Sequence, residues 1–162
     1  IYKTFEKIGI NPLTPDELIE KSNEKVWDIF KNGHTVCINQ CEQSKTREKV
    51  MRYKPTNISE LSAFVAGIRP SFQSMIDKFL NREKFTYNIE EFDNIIKTKE
   101  IPDSFILYQE QIMKVLNYAG FDMSECYSLI KAIAKKKVGI IEPIKDKFIK
   151  GFIEKMMEEK NE

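Results

Sequence analysis

Apolar side chains recur every three to four residues along most of the chain, which is the spacing of amphipathic helices. One such stripe covers residues 108–119 and stops at Gly120, and a longer one covers residues 140–160. The pattern predicts a mostly α protein, with residues 1–162 forming a single helical domain of about eight helices. The charged residues 155–162 are expected to form a frayed or disordered tail.

Helix starts are marked by a recurrent capping pattern, in which Ser, Thr, Asn or Asp is followed three residues later by Glu. The pattern occurs before four apolar stripes, at Thr14–Glu17, Asn57–Glu60, Asn88–Glu91 and Asp122–Glu125. Two short segments look extended instead, because they are β-leaning and bounded by turn residues. These segments are Thr35–Ile38 and Ser104–Leu107. We therefore expect helices with one or two short extended segments.

The charge balance excludes a general polyanion-binding protein. The 162 residues include 26 basic and 25 acidic side chains, for a formal net charge of +1. A nucleic-acid surface would therefore depend on how the charges are arranged. No apolar run reaches the ~20 residues of a membrane helix, so no membrane partner is expected. The three scattered cysteines suit a reducing compartment, and we expect a cytoplasmic protein.

The segment 129–137 is the strongest candidate for chemistry. Lys131 and Lys135 share one helix face because they are four residues apart. No acidic residue from Cys126 to Ile141 neutralises them, so their ammonium groups could meet a phosphate group. A solvated basic face at a helix C-terminus is the open alternative. The candidate phosphate-binding residues are Lys131, Lys135, Lys136 and Lys137.

The sequence of this segment is Leu129-Ile130-Lys131-Ala132-Ile133-Ala134-Lys135-Lys136-Lys137. It resembles the Leu-Arg-Arg-Ala-Met-Gly-Lys-Lys-Lys stretch of the α subunits of bacterial DNA polymerase III, the C-family replicases. Further blocks are similar to this family in the same order along the chain, at Gly33–Glu42, Arg52–Pro55, Glu60–Pro70 and Tyr108–Gln111. The similarity runs from about Pro12 to Gly151, so the chain resembles part of the fingers region of these polymerases.

The resemblance implies that the chain binds the triphosphate of the incoming deoxynucleoside triphosphate (dNTP) and contacts primer-template DNA. Lys131 would contact phosphate, while Ile130 stands where the family has another arginine. The block Tyr108, Gln109, Glu110 and Gln111 would form a polar network that positions the nucleotide helix. In the intact enzyme, the partners would be DNA, dNTP and the remaining polymerase domains.

For two further basic features, the sequence allows either a structural role or a contact with DNA. Arg69 precedes a proline, so it could cap a helix end or touch a phosphate. A second basic cluster has only Glu48 interleaved, and it could follow the DNA backbone or form a solvated helix face. This cluster consists of Lys45, Arg47, Lys49, Arg52 and Lys54, of which Arg47 and Arg52 are the candidate DNA contacts.

No catalytic residue is expected in this chain. Two-metal phosphoryl transfer needs converging carboxylates, and the sequence contains no Asp-x-Asp. In Glu91-Phe92-Asp93, the two acids are two apart in a helical first turn, where they diverge and favour the helix dipole. Mg²⁺ would be held by a palm outside the chain, so the fragment alone should be inactive. His34, Cys37 and Cys41 lack a second ligand pair, so no metal is expected there.

Two other classes of function fit the same sequence. The first is a stand-alone helical nucleic-acid-binding protein, which would use the two basic helix faces without a polymerase around them. The second is an all-α protein-interaction module, in which the long helix at residues 140–160 docks on a partner.

Overall fold

The computed structural model describes residues 2–98, 101, 103–135 and 138–161, and within these residues it contains ten α-helices and no strand. The mostly α prediction is confirmed. The helices are α1 (Tyr2–Lys7), α2 (Pro15–Lys21), α3 (Glu24–Lys31), α4 (Ser44–Tyr53), α5 (Ile58–Gly67), α6 (Ile76–Leu80), α7 (Glu90–Ile96), α8 (Gln109–Tyr118), α9 (Met123–Ala134) and α10 (Val138–Lys160). A 3₁₀ helix at Pro70–Phe72 precedes α6.

The chain divides into two compact units, residues 1–68 and 69–162. In the first unit, the core forms where α4 and α5 bury Val50, Tyr53 and Phe64. The Tyr53 and Phe64 ring centroids are 5.7 Å apart, within the range of favourable aromatic pairs.

The core of the second unit lies among α7, α8, α9 and α10. Its buried members are Ile96, Val115, Leu116, Ala119, Phe121, Cys126, Ile130 and Phe152. Helix α10 approaches the end of α8 closely, because Gly151 has no side chain. A Cβ atom added at Gly151 would lie 2.1 Å from the Ala119 carbonyl oxygen. Helices α7, α8 and α10 therefore hold α9 in place.

Three of the four predicted caps are used. Thr14 and Glu17 form a complete capping box at α2. The Asn57 side chain accepts from the Glu60 N–H at 2.9 Å, and Asp122 caps α9. The cap predicted at Asn88 is wrong: Ile89 is the N-cap residue of α7, and its side chain accepts no capping hydrogen bond.

The extended segment predicted at Thr35–Ile38 is also wrong, because the chain turns there. The Ile38 N–H donates to the Thr35 carbonyl at 3.1 Å, and Cys37 has a φ of 63°. The buried Thr35 hydroxyl donates to the Cys41 carbonyl at 2.6 Å. These local hydrogen bonds outweigh the β preference of the side chains. Ser104–Leu107 likewise forms no strand.

Helix α10 contains Pro143 and continues to Lys160, through residues that the charge pattern predicts to be frayed. Its last turns contact other helices. Lys160 Nζ lies 2.9 Å from Glu91 Oε1, and the Tyr118 hydroxyl donates to Glu159 at 2.8 Å. No helix in the described part of the chain is both long enough and apolar enough to cross a membrane.

Candidate functional site

Helix α9 begins at a strong cap and buries one of its faces. The Asp122 carboxylate accepts from the Ser124 N–H at 2.7 Å, which satisfies one of the free donors of the first turn. Cys126 and Ile130 then enter the core. The helix ends at Ala134, and the N–H of the C-cap residue Lys135 donates to the Lys131 carbonyl.

The opposite face of α9 carries Tyr127, Lys131 and Lys135, which are spaced four residues apart and are all exposed. The Lys131 ammonium lies over the Tyr127 ring, 4.2 Å from the ring centroid. No ion pair between described residues includes Lys131 or Lys135. We call these three residues the α9 face. They combine two cations with one aromatic ring.

Two of the four predicted phosphate-binding lysines, Lys136 and Lys137, lie outside the described residues. The other two, Lys131 and Lys135, share one face as the four-residue spacing predicts.

Gln111, at the start of α8, forms a network of hydrogen bonds with the backbone. Its side-chain oxygen accepts from the N–H groups of Leu107 and Tyr108, at 2.7 and 2.8 Å. Its amide nitrogen donates to the carbonyls of Ile96 and Phe105, at 2.7 and 3.0 Å. All four hydrogen-bonding positions of this amide are therefore filled. Gln111 ties α8 to the end of α7 and to the segment before α8.

The other members of the Tyr108–Gln111 block are arranged differently. Gln109 and Glu110 are exposed, while Tyr108 is half-buried. The block therefore has one inward-facing amide and two side chains open to solvent.

Two of the three acids of α7 have structural partners. Asp93 is 4% exposed, and its carboxylate accepts from the Tyr87 N–H at 3.0 Å and from the Thr86 hydroxyl. Burial tends to raise the pKa of Asp93, but the Ser104 and Thr86 hydroxyls, the Tyr87 N–H and the Lys97 charge hold that pKa below its ordinary value. Glu91 pairs with Lys160. Within the described residues, no three His, Cys, Asp or Glu side chains could hold a metal ion together.

The basic cluster of the first unit separates into two environments on α4. Lys45, Lys49 and Arg52 recur at intervals of four and three residues, so they lie on one side of the helix. Arg47 lies on a different side of α4 and is half-buried. Its Nη2 donates to the Glu42 carbonyl at 3.0 Å. Arg47 therefore supports the loop before α4.

Arg69 is exposed at the start of the 3₁₀ helix. Its carbonyl accepts from the Phe72 N–H at 3.0 Å. The cap residue of α5 is Ile68, so Arg69 follows that helix end.

Comparison with known proteins identifies the family. Residues 1–156 match the model of the bacterial DNA polymerase III alpha subunit finger domain. The chain belongs to this family. It is 34% identical to the DNA polymerase III subunit alpha of Thermotoga maritima over 145 residues, which are 88% of this chain and 16% of that protein.

Two further relatives agree. The Aquifex aeolicus subunit alpha is 31% identical over 138 residues, which cover 81% of this chain and 12% of that protein. The Helicobacter pylori subunit alpha is 30% identical over 158 residues, which cover 93% of this chain and 12% of that protein. The resemblance to C-family polymerases is confirmed. The finger-domain chain spans 12% to 16% of the length of these relatives.

Sequence reasoning missed one residue of the α9 face. The charge pattern points to residues 129–137, and Tyr127 lies just before them. The signal was present, because Tyr127 precedes Lys131 by four residues and therefore shares its side of the finger-domain helix.

Proposed function

We propose that this finger-domain chain binds the triphosphate of an incoming dNTP through the α9 face. The observation that carries the proposal is the position of Lys131 and Lys135, which are exposed, four residues apart and outside every ion pair of the described residues. Lysine is an effective point-charge donor to phosphate. Lys136 and Lys137 are proposed to add to the same contact.

The electrostatics favour a polyphosphate at this end of the helix despite the helix dipole. The C-terminus of a helix carries roughly −0.5 of an elementary charge. Lys131 and Lys135 together supply two positive charges, which outweigh that partial charge. The role of the chain is thus to neutralise and position phosphate charge, which lowers the cost of bringing the nucleotide to the reacting end of the primer.

The chemistry itself is proposed to need the rest of the polymerase. The chain covers only 12% to 16% of its relatives, and its described residues offer no cluster of metal-binding carboxylates. We therefore assign Mg²⁺ to palm residues outside this chain, and expect the chain alone to be inactive. A role in DNA replication would place it in the bacterial cytoplasm.

The direct test is steady-state nucleotide incorporation by the intact polymerase that carries this chain. Lys131→Ala should raise the KM for dNTP on the order of tenfold or more, since a hydrogen bond to a charged group contributes about 1.5–3 kcal/mol. Lys114→Ala is the matched control, because Lys114 is an exposed lysine of α8. An equal KM in both variants would refute triphosphate binding by α9.

We also propose that Lys45, Lys49 and Arg52 contact the DNA backbone. Their common side of α4 could follow a row of phosphates, and each neutralised phosphate steepens the salt dependence of binding.

The salt dependence of primer-template binding by the intact polymerase tests this second contact. Replacing Lys45 and Lys49 by alanine should reduce the slope of log affinity against log salt by about two. The double variant at Lys21 and Lys25, which removes the same charge from exposed positions, should keep the wild-type slope. The backbone contact is wrong if both double variants have the same slope.

A further inference from the structure

Tyr127 is the one aromatic residue of the α9 face, and the residue is 50% exposed to solvent. Large aromatic side chains usually bury their rings, as Phe121 and Phe152 do in the core of the same unit. Tyr127 makes a cation–π contact, because the Lys131 ammonium lies 4.2 Å from the ring centroid.

The geometry of a helix explains why the two side chains meet. Side chains in an α-helix lean towards the N-terminus, so a residue covers the one placed four positions before it. Lys131 therefore leans back over Tyr127, whereas Lys135 is the C-cap residue at the helix end. The ring faces the cation within the ~6 Å at which aromatic quadrupoles attract ammonium groups.

We propose that Tyr127 is a positioning residue for the dNTP triphosphate, and that it acts through Lys131. The inference rests on the proposed function of the α9 face. A free lysine on a helix surface samples many rotamers and loses this freedom when it binds a phosphate. The Tyr127 ring holds the ammonium above the helix before the nucleotide arrives, so less freedom is lost on binding. The ammonium hydrogens that point away from the ring can still donate to phosphate oxygens.

The test compares the dNTP KM and kcat of the intact polymerase in the wild type and two variants. Tyr127→Leu removes the ring and keeps an apolar helix former, and it should raise KM about two- to fivefold with kcat unchanged, which corresponds to the strength of an exposed cation–π contact. Tyr127→Phe keeps the ring and should remain within about twofold of wild type. The thermal unfolding midpoint should be the same in all three proteins, since the residue is half-exposed.

The double variant Tyr127→Leu/Lys131→Ala separates positioning through Lys131 from any other role. If Tyr127 acts through Lys131, the double variant has the KM of Lys131→Ala alone, because the ring has no ammonium to hold. The inference would be overturned if the KM increases of the two single variants multiply in the double variant, or if Tyr127→Leu leaves KM unchanged or lowers it. The proposed function would still stand. An unchanged KM in Lys131→Ala itself would remove the proposed function, and the inference with it.

Discussion

At the scale of single residues, the second unit depends on two buried polar side chains whose partners are all supplied by the protein. Gln111 fills its four hydrogen-bonding positions with backbone groups from the end of α7 and from the segment that precedes α8. Asp93 collects donors from the segment just before α7. Buried polar groups of this kind stabilise a fold only while they stay paired.

Replacing Gln111 by leucine should therefore destabilise the chain by at least about 3 kcal/mol, because the backbone groups of Leu107, Tyr108, Ile96 and Phe105 would lose their partner. Equilibrium urea unfolding measures this change. The matched control is the exposed neighbour Gln109, whose replacement by leucine should change stability by less than about 0.5 kcal/mol. Equal losses of stability at the two positions would show that the hydrogen bonds of Gln111 do not stabilise the fold.

Asp93 predicts a specific dependence of stability on pH. Its folded-state pKa lies below the ordinary value, so the folded chain prefers the charged carboxylate. The resulting stabilisation is complete above the ordinary carboxylate pKa of about 4 and is lost as the pH falls through the folded-state pKa. Asp93→Asn should thus be less stable than wild type at pH 7, and the gap should narrow below about pH 4. Thermal unfolding across this range checks the prediction, and a gap that widens in acid would contradict it.

At the scale of elements, the start or end of a helix can be predicted from the sequence when its hydrogen-bond partners lie within one turn. The capping box at Thr14 could be predicted because both partners lie within one turn. The start of α7 could not, because Asp93 captures the Tyr87 N–H from six residues away, while Asn88 adopts a φ of 60°. The turn at Cys37 could not be predicted either, because a positive φ at a residue other than glycine has no reliable sequence signal.

The packing of α10 against α8 gives an element-scale prediction with an internal control. Gly151→Ala should destabilise the chain by about 1–3 kcal/mol, because the added Cβ would clash with the backbone oxygen of Ala119. Gly139→Ala lies in the same helix with open space around the new Cβ, and should stabilise it by about 0.5–1 kcal/mol. Denaturant unfolding of both variants checks the pair. Stabilisation by both substitutions would mean that α10 does not approach α8 this closely.

The candidate site was only partly predictable for a related reason. The spacing of Lys131 and Lys135 was sufficient to put them on one face, because helical periodicity fixes direction without knowledge of tertiary contacts. The inward direction of Gln111 and the separation of Arg47 from the rest of its cluster depend on packing. A sequence pattern cannot show those contacts.

At the scale of the whole molecule, the two proposed contacts lie in different units. The first unit, residues 1–68, carries the basic side of α4, and the second, residues 69–162, carries the α9 face. A net charge of only +1 is compatible with both contacts, because each depends on a few basic side chains that share one helix face. The match to the polymerase III finger-domain family covers both units, because it extends over residues 1–156.

The measurement that tests the central claim most directly is the dNTP dissociation constant of the intact polymerase, obtained from single-turnover incorporation at varied dNTP concentration. Lys131→Arg keeps the positive charge and should bind dNTP within about threefold of wild type, whereas Lys131→Gln removes the charge and should bind about tenfold or more weakly. Identical dissociation constants for the arginine and glutamine variants would contradict the claim that the α9 face holds the triphosphate by its charge.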